Sequence, residues 1–186
     1  YPQVSLDISL DDATVDLMES GFDAGIRLGE SIEKDMIAVR LTPDLQWSVV
    51  GSPAHFAKAG KPLSPEELTR HACIGFRFAS SGSAHRCEFR RDGRDFTVGV
   101  ESGVLVNDRK LLISAARNGL GLAYACNLEI IDELANGQLE RVLQPFVPLS
   151  SGLYLYFPSR TQTQPKLRAF IDMATQWIAD RGGLGQ

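Results

Sequence analysis

The chain opens on a strict alternation: Val4, Leu6, Ile8 and Leu10 are apolar, while Ser5, Asp7 and Ser9 between them are polar. A period of two predicts a strand with one buried face. Asp11-Asp12 then offers a helix N-cap, Val15, Leu17, Met18 and Phe22 give a short apolar stripe, and Gly21 suits the C′ position. Alternation resumes over Phe22, Ala24, Ile26 and Leu28. The stretch reads as strand, helix, strand, a unit that sets its strands parallel with the helix on one face. Ile37 to Leu41 predicts another strand.

A second series starts at Trp47 to Val50, a strand running into Gly51-Ser52-Pro53, with Ser52 as N-cap and Pro53 at the first helical position. Gly60 ends that helix, and Ser64-Pro65-Glu66-Glu67 reads as a capping box. Ala72 to Phe76 is the next strand. Glu88 to Arg91 and Phe96 to Val100 form a hairpin around Asp92-Gly93, a favoured tight-turn pair. Asn107 is the expected N-cap of a helix through Asn118, with Leu111, Leu112, Ala115 and Ala116 on its apolar side and Gly119 as its stop. The strand Leu120 to Tyr124 follows. Asn127 opens a further helix, Asn136-Gly137 ends it, and Leu139 to Leu143 is a return strand. Gln144 to Gly152, rich in Pro and Ser, has the composition of a connection. Leu153 to Phe157 is a strand, and Pro165 opens a helix whose Leu167, Phe170, Ile171, Ala174 and Ile178 keep i, i+3, i+4 spacing. Strand and helix alternate throughout, the mark of an α/β fold.

At 186 residues the chain has room for one domain or two small lobes. Its formal net charge of −4 argues against a phosphate-binding surface, and Arg86, Arg90, Arg91 and Arg94 are interleaved with acids. Cys73, Cys87 and Cys126 are odd in number, which points away from a disulfide framework and toward a reducing, cytoplasmic setting. No apolar run approaches the ~20 residues of a membrane helix. The first residue is Tyr1, and the chain enters a strand pattern directly, so a fragment of a longer protein is expected.

His71-Ala72-Cys73 and His85-Arg86-Cys87 repeat a His-x-Cys spacing that two paired strands could turn into a tetrahedral zinc set. Core packing is the simpler reading, because buried free Cys is common and no Cys-x2-Cys knuckle is present. No metal or cofactor is expected. Catalysis has no Gly-x-Ser-x-Gly elbow, Walker A loop or His-Glu-x-x-His to rest on. Gly119-Leu120-Gly121 lacks the third glycine of a dinucleotide fingerprint and precedes a strand. Asp11-Asp12 and Glu66-Glu67 sit where helix dipoles recruit acids. What remains is geometric: Ser52, Asn107 and Asn127 each follow a strand-like segment and open a helix, so their N–H groups are expected on one sheet edge. Ligands bind at the carboxyl edge of open α/β sheets, and helix N-termini there favour anions. Each residue has the simpler alternative of capping its own helix.

The order of segments resembles the effector-binding domain of LysR-type transcriptional regulators. The resemblance runs through Gly21-Phe22-Asp23-Ala24-Gly25-Ile26-Arg27-Leu28-Gly29, Val50-Gly51-Ser52-Pro53-Ala54, His71-x-Cys73, Asn107-Asp108 and Gly119-Leu120-Gly121-Leu122-Ala123. It continues through Asp132 to Leu139, Tyr154 to Arg160 and Pro165 to Asp172, and so covers nearly the whole chain. The resemblance implies two Rossmann-like lobes joined by two crossover segments, in the manner of type 2 periplasmic binding proteins. One lobe would be residues 1–45 plus 153–186 and the other residues 46–152. It implies a small effector held between the lobes, which the helix N-termini would favour as an anion, and self-association as a dimer or tetramer. DNA would be bound only through a winged helix-turn-helix that this sequence does not contain, and no membrane is involved. The family's first strand, loop and helix of the first lobe are also missing from the pattern. Carried over position by position, effector contacts fall on Leu10, Asp11, Leu28, Ser52, Arg77, Phe78, Ser80, Ser81, Asn107 and Tyr124. After Tyr124 many relatives have a proline; here Ala125-Cys126 stands, so that loop departs from the pattern. The rival readings are a transporter's solute-binding protein, which shares the architecture, and a small enzyme.

Overall fold

A computed structural model describes residues 3–10, 17, 19–32, 35–162 and 164–180. In chain order they form β1 (Gly25–Leu28), β2 (Met36–Arg40), β3 (Leu45–Gly51), α1 (Pro53–Ala59), β4 (Cys73–Phe76), β5 (Cys87–Arg91), β6 (Arg94–Val98), β7 (Ser102–Val106), α2 (Arg109–Arg117), β8 (Leu122–Cys126), α3 (Ile131–Ala135), β9 (Glu140–Val142), β10 (Leu149–Ser150), β11 (Leu153–Pro158) and α4 (Pro165–Asp180). The chain divides into two units: Tyr1–Leu45 with Ser150–Gln186, and Gln46–Leu149.

In the first unit β11 is the central strand, antiparallel to β1 on one side and to β2 on the other. Its alternation puts Leu155 and Phe157 on one face, where they pack with Ile37 and Val39 of β2 and with Leu167, Phe170 and Ile171 of α4. Each such side chain taken fully out of water contributes about 1.5–3 kcal/mol. The expected strand over Val4 to Leu10 does not form: the segment pairs with no described strand, and Leu10 is 96% exposed. Period two specifies a strand only where a neighbouring edge can take its ladder bonds. The helix expected next lies outside the described residues, apart from its end. There the Phe22 N–H donates to the Leu17 carbonyl at 2.9 Å across Gly21, whose φ is +75°. That is the C′ role expected of this glycine.

In the second unit the sheet runs β3-β8-β4-β7, with β9 along β3. β4 is parallel to β7 and β8, whereas β3 is antiparallel to β8, with Trp47 opposite Cys126 and Val50 opposite Ala123. Alternation sorts two cores. Val49, Cys73, Leu122 and Tyr124 face Cys87, Phe89 and Val98 of the β5-β6 ribbon. Val50, Ile74, Ala123 and Ala125 face Leu112, Ile113, Ala115 and Ala116 of α2. The ribbon turns at Asp92-Gly93, both at positive φ (52° and 75°), as a tight hairpin requires.

Three local expectations are corrected. Asp108, not Asn107, caps α2: its carboxylate accepts from the Leu111 N–H at 2.7 Å, and Asn107 stays exposed. Asn and Asp cap about equally well, so the pattern could not choose between them. The shift turns Leu111 outward (54% exposed) and brings in Ile113. Asn127 caps no α-helix; it starts a 3-10 helix, Asn127–Glu129, and its Oδ1 accepts from the Ser48 hydroxyl at 2.7 Å. The Ser64 box does not form. Glu67 accepts from the Leu63 N–H at 2.8 Å, but the Ser64 side chain makes no cap bond on the 3-10 helix Pro65–Arg70.

Candidate functional site

Because β4, β7 and β8 run parallel, Phe76, Val106 and Cys126 end on one edge of the second unit's sheet. β3 runs the other way, so its first residues, with Trp47, reach that carboxyl edge, and its last, leading into Ser52, lie at the opposite one. The expected gathering of Ser52, Asn107 and Asn127 on one edge is therefore wrong for Ser52. Ser52 is buried, caps α1 by accepting from the His55 N–H at 3.2 Å, and sits against Gly119, just ahead of β8. The sequence showed three strands followed by helix caps but not that one strand is reversed.

Beyond Phe76 the chain makes a small loop that returns to the same edge. The Arg77 N–H donates to Val106 O at 2.7 Å, Arg77 bridges Ala84, and the Phe78 N–H donates to Ser83 O at 3.0 Å. The His85 N–H then donates to Phe76 O at 2.7 Å, which brings the imidazole to the strand end. Ser81 and Ser83 share a hydroxyl hydrogen bond of 2.7 Å at the exposed tip.

Six rings converge here. Tyr124 stacks on Trp47 (centroids 5.4 Å apart) and on His85 (5.6 Å), and Phe89 meets it edge-on at 6.1 Å. Phe78 lies 5.7 Å from His85 and 5.5 Å from Phe76. The Tyr124 hydroxyl donates to Glu88 O at 3.1 Å, which holds the ring in place. Arg109, the first residue of α2, lies over Phe76 at 5.1 Å and Trp47 at 5.5 Å. Its Nε and Nη2 donate to the two oxygens of Glu129 at 2.9 and 2.6 Å, and Nη2 also reaches Tyr124 O at 3.3 Å. Glu129 in turn accepts from the Cys126 N–H at 3.0 Å. A cation in the first turn of a helix opposes the macrodipole; the paired carboxylate compensates it.

Burial holds several titratable groups of this unit in their neutral forms. Burial, assisted by the Arg109 charge, pushes the His85 pKa down, so the imidazole is uncharged near neutral pH. Burial pushes the Cys73 thiol up to about 11, and that of Cys87, with Cys73 beside it, to about 12. The Cys126 thiol and the Tyr124 phenol are pushed up by burial too. None of the four is a ready nucleophile, since reactivity follows the ionised form.

The structure thus brings Phe78 and Tyr124 together, with Arg77 and Asn107 on the flanking strand ends and Ser80 and Ser81 at the loop tip. Leu28 ends β1 in the other unit, Leu10 is on its exposed segment, and Asp11 lies outside the described residues. Sequence reasoning missed Trp47, Phe76, Arg109 and Glu129, and it weighed His85 only as a metal ligand. The usable signal was Arg109 itself, a cation where a helix start disfavours one. Cys73 and Cys87 pack in one apolar cluster, and among the described residues no three His, Cys, Asp or Glu side chains converge to hold a metal.

Comparison with known proteins places this geometry. The family model described as the LysR substrate binding domain matches residues 1–179. A Pseudomonas aeruginosa relative, named only provisionally as a transcriptional regulator, is 37% identical over 98% of this chain and 59% of its own length. The HTH-type transcriptional regulator PgrR of Escherichia coli is 36% identical over 92% of this chain and 58% of its own. The solved structure of CrgA, a LysR-type transcriptional regulator from Neisseria meningitidis, superposes with a TM-score of 0.82 at 24% identity, covering 96% of this chain and 60% of that one. The likeness in structure establishes the type 2 periplasmic-binding-protein-like α/β fold. The chain spans less than two thirds of the length of these relatives.

Proposed function

Since the chain belongs to the LysR substrate-binding domain family, we propose that it is the effector-sensing part of a DNA-binding transcriptional regulator. The match over residues 1–179 is the observation that carries this reading. A small-molecule effector meets the carboxyl edge of the second unit, and its binding is transmitted to a DNA-binding domain of the kind named in the relatives. A ligand shifts such an equilibrium only by its different affinity for two states of the protein. The functional form is a homo-oligomer in the cytoplasm; among the described residues no helix is long and apolar enough to cross a membrane. Sensing rather than catalysis fits the edge, where the Cys126 thiol and the Tyr124 phenol are held protonated.

A thermal-shift screen of the chain against small metabolites tests the proposal. A saturable rise for one chemical class is expected, because a native-state ligand at a hundred times its Kd stabilises by about 2.7 kcal/mol. A flat response across acids, amides, sugars and aromatics would sink it.

A further inference from the structure

The sequence contains two Asn-Gly pairs, Asn118-Gly119 and Asn136-Gly137. Each asparagine ends a helix in the same backbone state: φ is −82° and ψ 8° at Asn118 after α2, and φ is −95° and ψ 5° at Asn136 after α3. Each glycine follows at positive φ, 78° and 72°, in the left-handed region that helix ends favour. Both asparagines are exposed. The two pairs are therefore alike in sequence and in main chain, and they differ in how the asparagine side chain is held.

At Asn118 the amide nitrogen donates to the Ser114 carbonyl at 2.8 Å, one turn back along α2. That bond holds the side chain against its own helix, away from the peptide that follows. Gly119 is hemmed in as well: its N–H donates to Ala116 O at 3.0 Å, and a Cβ there would lie 3.3 Å from the Ser52 hydroxyl. At Asn136 the arrangement is reversed. Its Oδ1 accepts from the Gln138 N–H at 3.2 Å, so the side chain closes forward over the Gly137 peptide as an Asx turn. Among the described residues its Nδ2 makes no hydrogen bond. The Gly137 N–H reaches Leu134 O at 3.3 Å, and a Cβ on Gly137 would meet nothing within 4 Å. α2 buries Leu112, Ile113, Ala115 and Ala116, whereas no residue of α3 is buried. Opening the last turn of α3 therefore disrupts far less packing than opening that of α2.

We propose that Asn136 is a site of spontaneous deamidation and isoaspartate formation, and that the fold protects Asn118 in the identical dipeptide. Solvent hydroxide removes the Gly137 amide proton, the nitrogen attacks Asn136 Cγ, and the Cγ–Nδ2 bond breaks. The nitrogen leaves as ammonia, taking a proton from water and returning the hydroxide. The cyclic imide then adds one water, at Cγ to leave an aspartate or at the main-chain carbonyl carbon to leave an isoaspartate. The forward-closed side chain sets the electrophile beside its nucleophile, and glycine has no side chain to obstruct the approach. The product adds one negative charge to a chain whose net charge is −4 and places it at a helix C-terminus, where the dipole disfavours an anion. Isoaspartate also lengthens the main chain by one methylene just ahead of Leu139, which is packed in the core under α2.

The chain is aged in mildly alkaline buffer, native and in guanidinium, then digested, and mass spectrometry follows the conversion of amide to carboxyl at each Asn-Gly pair. In the native chain Asn136 is expected to convert about tenfold faster than Asn118, the effect of roughly 1.4 kcal/mol in barrier. In guanidinium the two rates should converge. A protein-isoaspartate methyltransferase supplied with labelled S-adenosylmethionine should label the aged native chain; Asn136→Gln should remove most of that label and Asn118→Gln should leave it. Equal rates at the two positions in the native chain, faster conversion at Asn118, or an Asn136 that stays intact while the unfolded chain reacts overturns the proposal. A tenfold ratio that persists in guanidinium would assign the difference to the flanking residues and overturn the protective role of the fold.

Discussion

Arg109 and Glu129 are twenty residues apart and grip each other through two parallel hydrogen bonds, with both side chains 28% exposed. The pair ties the start of α2 to the turn after β8, and two rings of the cluster pack against its cation. Glu129→Gln keeps an oxygen for the Cys126 N–H but leaves Arg109 uncompensated at a helix start. A loss of about 1–2 kcal/mol is expected, read as a fall of about 2–8 °C in Tm for a chain of this size. An unchanged Tm would mean that the pair is decorative.

His85 sets a pH dependence with a definite sign. Its folded pKa lies below the ordinary 6.5, through burial first and the Arg109 charge second. The unfolded chain therefore binds the extra proton first as pH falls, and stability rises with pH across the interval below 6.5. The contribution is complete above 6.5 and is lost as pH drops through the folded value. Denaturant titrations at pH 7.5 and in steps down to pH 5 should show the loss. His85→Phe should flatten the part of the slope between pH 6.5 and 5; an identical slope in wild type and variant would refute the assignment.

Cys73, Cys87 and Cys126 are free and buried. Native protein should react with a thiol reagent only as fast as it opens, and guanidinium should release three equivalents at once. A thiol titrating within seconds in the native state would contradict the raised pKa values of Cys73 and Cys87.

A Cβ added to Gly121 would lie 2.6 Å from Ala72 O, the same carbonyl that accepts the Leu122 N–H at 2.8 Å. Gly121→Ala must push β8 away from the end of β4. We expect about 1–3 kcal/mol of destabilisation, measurable by urea denaturation, whereas Gly103→Ala, with nothing within 4 Å, should cost far less.

Much of the fold could be read from the residues, and the reasons differ from element to element. Pro53 after Ser52, Asp92-Gly93 and the apolar spacing of α4 each specify local geometry without help from distant chain. Val4 to Leu10 fails because a strand is a property of two segments, and the sequence of one cannot say whether the other is present. Ser52 fails for a related reason. Its cap was legible, but its edge depends on the direction of β3, which only pairing with β8 decides. The ring cluster was hidden because Trp47, Phe76, His85 and Tyr124 come from four segments. Each looks alone like an ordinary core position.

The first unit is split in sequence and the second is not. Because β11 is the strand that joins β1 to β2, the first unit cannot close its sheet until the ribosome has made the intervening Gln46–Leu149. At about 5–20 residues per second that is a wait of roughly 5–20 s, during which the contiguous second unit has every segment of its sheet at hand. The nascent chain therefore matures from the middle outward, and the exposed edges of β1 and β2 are what it has to keep from pairing elsewhere while the last strand is still being read.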